Sequence, residues 1–244
     1  GFCPSFVTVE GGRLKTPAPA SDIARPPLPE PALPVLARPY NIVLSGVGGT
    51  GVVTVSSILG MAAHIDGKRP AMLDMMGLAQ KGGAVTSHIR IAAAGHAGIA
   101  ARVAEGNADL VIGADIMSVV GIEPISTIGR GTKGLVNTAE GLPGDFTRDP
   151  DLQFPVEALR LRLEATGADI TYLAATELAE QAVGDTVATN LLMLGAAWQR
   201  GLLPLSRASI VQAISLNGVA VDASLAAFEA GRHAAVLAGE PRSE

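Results

Sequence analysis

Gly46, Gly48 and Gly51 stand at the G-x-G-x-x-G spacing inside Asn41-Ile-Val-Leu-Ser-Gly-Val-Gly-Gly-Thr-Gly51. The chemistry such a spacing serves is anion binding. Without a Cβ the backbone turns sharply and approaches a ligand closely, and the following helix packs tightly on its strand. Free backbone N–H groups and about half a unit of positive charge then face whatever precedes the helix. A phosphate is the expected guest, cradled over Gly46 to Gly51 with Gly49 and Thr50 between the spaced glycines. Two further residues point to the same crevice. Lys81, in Gln80-Lys-Gly-Gly83, offers a cation beside bare backbone, and Asn137 ends a strand where parallel sheets line their ligands. The competing readings are structural: glycines that only fit a strand-to-helix turn, and an amide that caps the next turn.

These residues need particular elements to hold them. The apolar run before Gly46 reads as a buried strand, and the periodic segment Val52 to Ile65 as the helix after the glycines. Ala71 to Asp74 reads as a second short buried strand that Asp74 ends. An acid about twenty residues past the glycines binds ribose hydroxyls in dinucleotide folds, so a nicotinamide or flavin nucleotide is one reading. Ala84 to Ile91 alternates, with Thr86, His88 and Arg90 on one face, and predicts a half-exposed strand on whose wet face His88 lies. Asp109 to Asp115 is another buried strand ending in an acid, and a helix broken around Pro124 spans Ile116 to Ile128. Lys133 to Thr138 closes the βαβ repeat. A helix over Val156 to Ala165 and a strand over Ile170 to Leu173 follow, and then the chain is helical. Asp185 is the expected N-cap of a helix whose Val187, Leu191, Leu194 and Trp198 share a core-facing stripe until Gly201 stops it. Ser206 begins the next, ended by Asn217-Gly218, and Asp222 the last. The sum is an α/β fold: a Rossmann-like, mostly parallel sheet flanked by helices, with a helical C-terminal segment.

Composition bounds the partners. The 244 residues are 48% hydrophobic and 17% charged, enough to bury a full core. The net charge of −5 and 3% aromatics argue against a nucleic-acid surface. No apolar run reaches the ~18 residues of a membrane span. One cysteine allows no internal disulfide, which fits a reducing cytoplasm. No residue is nominated as catalytic.

The chain opens Gly1-Phe-Cys-Pro-Ser-Phe, as if cut from something longer. A Cys before Pro, here Cys3, is how the last ligand of a ferredoxin-type cluster often reads. An ordinary thiol is the alternative. From Thr16 to Pro39 the sequence holds eight of the 16 prolines, which predicts a semi-rigid extended segment and a domain boundary. It is either a tether or an arm lying along a partner surface.

Read together, several passages resemble the C-terminal part of an indolepyruvate:ferredoxin oxidoreductase of the long, fused kind. They are Gly1 to Gly12, Gly46-Val-Gly-Gly-Thr-Gly-Val52, Gly77-Leu-Ala-Gln-Lys-Gly-Gly-Ala-Val-Thr-Ser-His-Ile-Arg90, Ala175-Thr-Glu-Leu-Ala179, Gly184-Asp-Thr-Val-Ala-Thr-Asn190, Gly195 to Gly201, and Ala227 to His233. The resemblance implies three parts: residues 1–12 as the tail of a ferredoxin-like domain, 13–39 as a Pro-rich linker, and 40–240 as a gamma-type 2-oxoacid oxidoreductase domain. It implies thiamine diphosphate and 4Fe-4S clusters held mostly outside this chain, coenzyme A as cosubstrate, ferredoxin as electron acceptor, and a homodimer at full length. Cys3 then matches the final cluster-ligand cysteine. The gamma-type domain helps bind coenzyme A and closes over the active site. The alternative is a self-contained Rossmann domain that binds a nicotinamide dinucleotide through Gly46, Gly48, Gly51 and Asp74.

Overall fold

Asn41 to Ser45 are buried on both faces of the strand they form, as a near-continuous apolar run requires. The computed structural model describes residue 11 and residues 27–77, 83–139 and 155–237, so Cys3 and Lys81 lie outside the described residues. In chain order the elements are β1 (Tyr40–Val47), α1 (Val52–Ile65), β2 (Arg69–Met76), β3 (Ala84–Ala92), β4 (Leu110–Gly113), α2 (Ile116–Val119), α3 (Ile122–Thr127), β5 (Lys133–Asn137), α4 (Val156–Glu164), β6 (Asp169–Leu173), α5 (Ala175–Val183), α6 (Thr189–Gln199), α7 (Arg207–Asn217) and α8 (Val221–Leu237).

The six strands form one sheet in the order β2-β3-β1-β4-β5-β6. Neighbours from β1 through β6 run parallel, whereas β3 is antiparallel to both β1 and β2. The expected α/β architecture holds, with one reversed strand inserted between β1 and β2. One face of the sheet, carrying Ile42, Leu44, Ile112 and Leu135, packs on α1, α5, α6, α7 and α8. The other, carrying Val43, Val111 and Val136, packs on α2, α3 and α4.

Several expectations are corrected. β3 is not half-exposed: Val85 to Ile89 are all buried, because a strand between two neighbours and under covered faces has no wet side. Asp74 does not end its strand, which continues through Met75 and Met76, and that strand is partly exposed rather than buried because it forms the edge of the sheet. The break between α2 and α3 falls at Val120-Gly121, and Pro124 sits in the first turn of α3, where its missing N–H costs nothing.

Asp185 does cap, but it caps a short 3-10 turn over Thr186–Ala188, its carboxylate accepting from Val187 N–H at 2.8 Å. Val187 therefore points outward rather than joining the stripe. α6 has no stripe at all, since every residue from Thr189 to Gln199 is buried. A helix apolar all round must be covered on all sides, and α8 achieves this by backbone contact. A side chain at Gly195 would strike the Phe228 carbonyl, and one at Gly231 the Leu192 carbonyl. Trp198 is a core residue, as its periodicity predicts, with its indole N–H donating to Leu205 O at 2.8 Å.

The described end of the Pro-rich segment, residues 27–39, contains no helix or strand and rests on this helical layer. Gln199 Nε2 donates to Pro29 O at 2.7 Å, and Leu36 packs against the core.

Candidate functional site

The site grows from the end of β1. An added Cβ at Gly46 would sit 2.7 Å from Val52 Cγ2 and 2.8 Å from Ala114 Cβ, so glycine is what lets α1 and the end of β4 close on the strand. The chain then turns through Gly49 (φ 90°) and Gly51 (φ 92°), left-handed conformations that favour glycine. Thr50 pins the turn, since both its N–H (3.2 Å) and its hydroxyl (2.8 Å) donate to Val47 O.

The loop amides divide into those bonded within the fold and those left open. Gly48 N–H donates to Gly83 O at 2.8 Å, which seats the end of the β2–β3 connection against the glycine loop. Gly51 is the N-cap of α1 with no side chain capping it, and its carbonyl accepts from Val55 N–H at 3.1 Å. Among the described residues, the N–H groups of Gly49, Gly51, Val52, Val53 and Thr54 have no acceptor. They border an open concavity of about 270 Å³ that Val47, Gly48, Met76 and Val85 complete. Unpaired donors at the positive end of a fourteen-residue helix are the chemistry that suits an anion.

Asn190, which sequence reasoning did not single out, holds this loop from behind. It lies in the first turn of α6, almost fully buried, and its Nδ2 donates to Thr50 O at 2.7 Å. A polar side chain at the head of an all-apolar helix is the signal that could have revealed it.

The other nominated residues are placed differently. Asn137 does end β5 at the same edge, but its amide is fully engaged. Nδ2 donates to Ala114 O (2.9 Å) and Thr176 Oγ1 (2.8 Å), while Oδ1 accepts from the Ala175 N–H (3.0 Å) at the start of α5. It ties three elements together. Asp115 likewise caps α2, accepting from Ser118 N–H and Ser118 Oγ, each at 2.7 Å.

Asp74 sits on the edge strand, opposite Ser87, which in turn lies opposite Leu44. It is one strand removed from β1 and three residues short of the level of Val47. An acid gripping a ribose beside the glycine loop would need β2 next to β1; the reversed β3 removes that geometry. Lys81 falls within the connection from β2 to β3, whose described ends, Gly77 and Gly83, both lie at the carboxyl edge of β1. A hairpin-like return, not βαβ winding, brings those two ends together.

His88 is wholly buried on the face opposite α1. Its Nδ1 accepts from Val103 N–H at 3.3 Å, and Nε2 lies 3.3 Å from Glu123 Oε1, a carboxylate that Arg102 grips through two nitrogens. Burial holds its pKa below the usual imidazole value; Arg102 adds to this and Glu123 opposes it. No three His, Cys, Asp or Glu converge on a metal position among the described residues, and no helix among them is long and apolar enough to cross a membrane.

Comparison with known proteins bears on the family and the fold. Residues 41–234 match the sequence profile of the family described as pyruvate ferredoxin/flavodoxin oxidoreductase. The chain is 31% identical over 198 residues to indolepyruvate oxidoreductase subunit IorB of Methanothermobacter thermautotrophicus, covering 80% of this chain and 97% of that protein. The fold is similar to pyruvate oxidoreductase subunit PORC from Thermotoga maritima, with a TM-score of 0.59 and 22% identity over 80% of this chain and 96% of that one. It is also similar to part of the 2-oxoglutarate:ferredoxin oxidoreductase from Magnetococcus marinus, solved with 2-oxoglutarate, coenzyme A and succinyl-CoA bound. There the TM-score is 0.62 at 15% identity, over 84% of this chain and 32% of that chain.

Proposed function

Since the chain belongs to the pyruvate ferredoxin/flavodoxin oxidoreductase family, as the gamma-type domain of a 2-oxoacid:ferredoxin oxidoreductase, we propose that it seats the phosphates of coenzyme A on its glycine loop. The enzyme it serves oxidatively decarboxylates indolepyruvate, or a similar aryl 2-oxoacid, to the acyl-CoA and reduces ferredoxin. The name of its curated relative supports that substrate class. Thiamine diphosphate supplies the carbanion chemistry and iron–sulfur clusters carry the electrons; this reading assigns both to partner domains in the cytoplasm. It assigns Cys3 to one such cluster, completed by ligands from outside residues 1–244. A single thiolate cannot hold four irons, so the purified chain alone should contain no stoichiometric iron or sulfide.

One observation carries the reading: the unpaired N–H groups of Gly49, Gly51 and the first turn of α1 line one concavity. Lys81, on the connection whose end Gly48 anchors, would add a cation to the same edge. Asn137 acts by fixing the neighbouring strand ends rather than by touching the ligand.

The test is calorimetric titration of the complete enzyme with coenzyme A and with NAD. Lys81→Ala removes a charge-assisted hydrogen bond of ~1.5–3 kcal/mol, so coenzyme A affinity should fall about tenfold to a hundredfold, while Asp74→Ala leaves it in place. Tight NAD binding that Asp74→Ala abolishes, with coenzyme A silent, would overturn the assignment.

A further inference from the structure

We infer that Asn190 is a positioning residue that locks the Thr50–Gly51 peptide with its N–H toward the ligand and its carbonyl away. This rests on the anion seat proposed above. In a trans peptide the carbonyl and the next N–H point in opposite directions. Asn190 Nδ2 holds the Thr50 carbonyl at 2.7 Å on the inner side of the loop. The Gly51 N–H must then project the other way, to the concavity that Gly51 lines.

The lock has something to work against. Rotating that peptide by half a turn would carry Gly51 from φ 92° to the mirror side of the map, which glycine occupies with equal ease. No side chain caps α1 to oppose it, and a Cβ added at Gly51 would meet only Asn190 Nδ2, at 3.8 Å. The flipped peptide would turn a carbonyl oxygen toward an incoming phosphate, replacing an attraction with a repulsion. Among the described residues, this is the loop peptide that a side chain from α6 holds. Gly48 and Thr50 have their N–H groups fixed by Gly83 O and Val47 O. Asn190 in turn is placed by the 3-10 turn that Asp185 caps, where the Thr189 hydroxyl donates to Thr186 O at 2.6 Å.

Asn190→Asp tests this with almost no change in shape. A carboxylate cannot donate to the Thr50 carbonyl but can accept the Gly51 N–H, so a crystal structure of the variant should show the peptide flipped. Its coenzyme A affinity in the complete enzyme should be at least tenfold weaker than wild type. An unmoved peptide, or a flipped one with affinity retained, overturns the inference. If wild type itself binds no coenzyme A, the cofactor assignment fails while the orientation of the peptide in Asn190→Asp still decides the lock. Should that variant not fold, Asn190→Ala replaces it. There the peptide should occupy both orientations, and a single wild-type orientation with unchanged affinity refutes the role.

Discussion

The guanidinium of Arg232 lies 4.9 Å from the centre of the Trp198 ring, and both side chains are buried between α6 and α8. Arg232 also donates to Gln199 Oε1 (2.9 Å) and Glu229 Oε2 (2.7 Å), and Gln199 holds Pro29 of the N-terminal arm. A single cation thus braces the helical layer and, through one amide, the arm lying on it.

Arg232→Ala should destabilise the chain by about 2–4 kcal/mol in urea unfolding. That is below the ~3–5 kcal/mol of a fully buried broken pair, because Glu229 is partly exposed and keeps Arg207. Arg232→Lys should recover less than half of the loss, since an ammonium cannot stack flat on the indole while serving both acceptors. Protease should also cut within residues 27–39 faster in the alanine variant. Unchanged cleavage there would disconnect the arm from this network.

Two glycines of the loop should fail for different reasons. Gly46→Ala meets Val52 Cγ2 and Ala114 Cβ and should cost ~1–3 kcal/mol through overpacking. Gly49→Ala meets nothing within 4 Å, yet must hold φ near 90°, at a cost of ~1–2 kcal/mol in backbone strain. Thermal unfolding of each variant with and without Val52→Ala separates the two. The second substitution should relieve Gly46→Ala in part and leave Gly49→Ala as it was; an equal response in both would contradict this account.

His88 predicts an acid-sensitive step. Burial lowers its folded pKa below the unfolded value of about 6.5. Above that pH both states are neutral and the stabilisation is complete. As pH falls below it the unfolded chain takes up a proton that the folded chain refuses, because Nδ1 is already accepting from Val103 N–H. Stability should therefore drop, by at most ~1.4 kcal/mol per pH unit for one proton, and level off below the folded pKa. His88→Gln should flatten the difference. Denaturant unfolding between pH 7 and pH 4.5 checks it, and identical slopes for wild type and variant would exclude His88 as the source.

The glycine loop and most element boundaries were legible because local chemistry decides them. Val52–Ile65, the Ser206 cap and the Gly218 stop follow from periodicity and capping alone. Strand direction is not local. Alternation in Ala84 to Ile91 is the same in a parallel or an antiparallel neighbour, so nothing in those residues reveals that β3 displaces β2 from β1, and with it Asp74. The site was half legible for a similar reason. Backbone donors announce themselves through glycine spacing, whereas Asn190 reaches Thr50 across 140 positions of sequence. Asn137 looked like a ligand because a strand's carboxyl end serves both packing and binding, and only its filled hydrogen bonds distinguish the two.

The reversed strand also fixes where its connection begins and ends. Because β2 and β3 meet as an antiparallel pair, Met76 leaves and Ala84 returns at one edge, beside the glycine loop, with Gly77 N–H donating to Ala84 O at 3.1 Å to close the ends. Gly48 N–H, donating to Gly83 O, stitches the glycine turn to the same edge, so the concavity before α1 has its rim tied by backbone groups that no substitution short of proline removes.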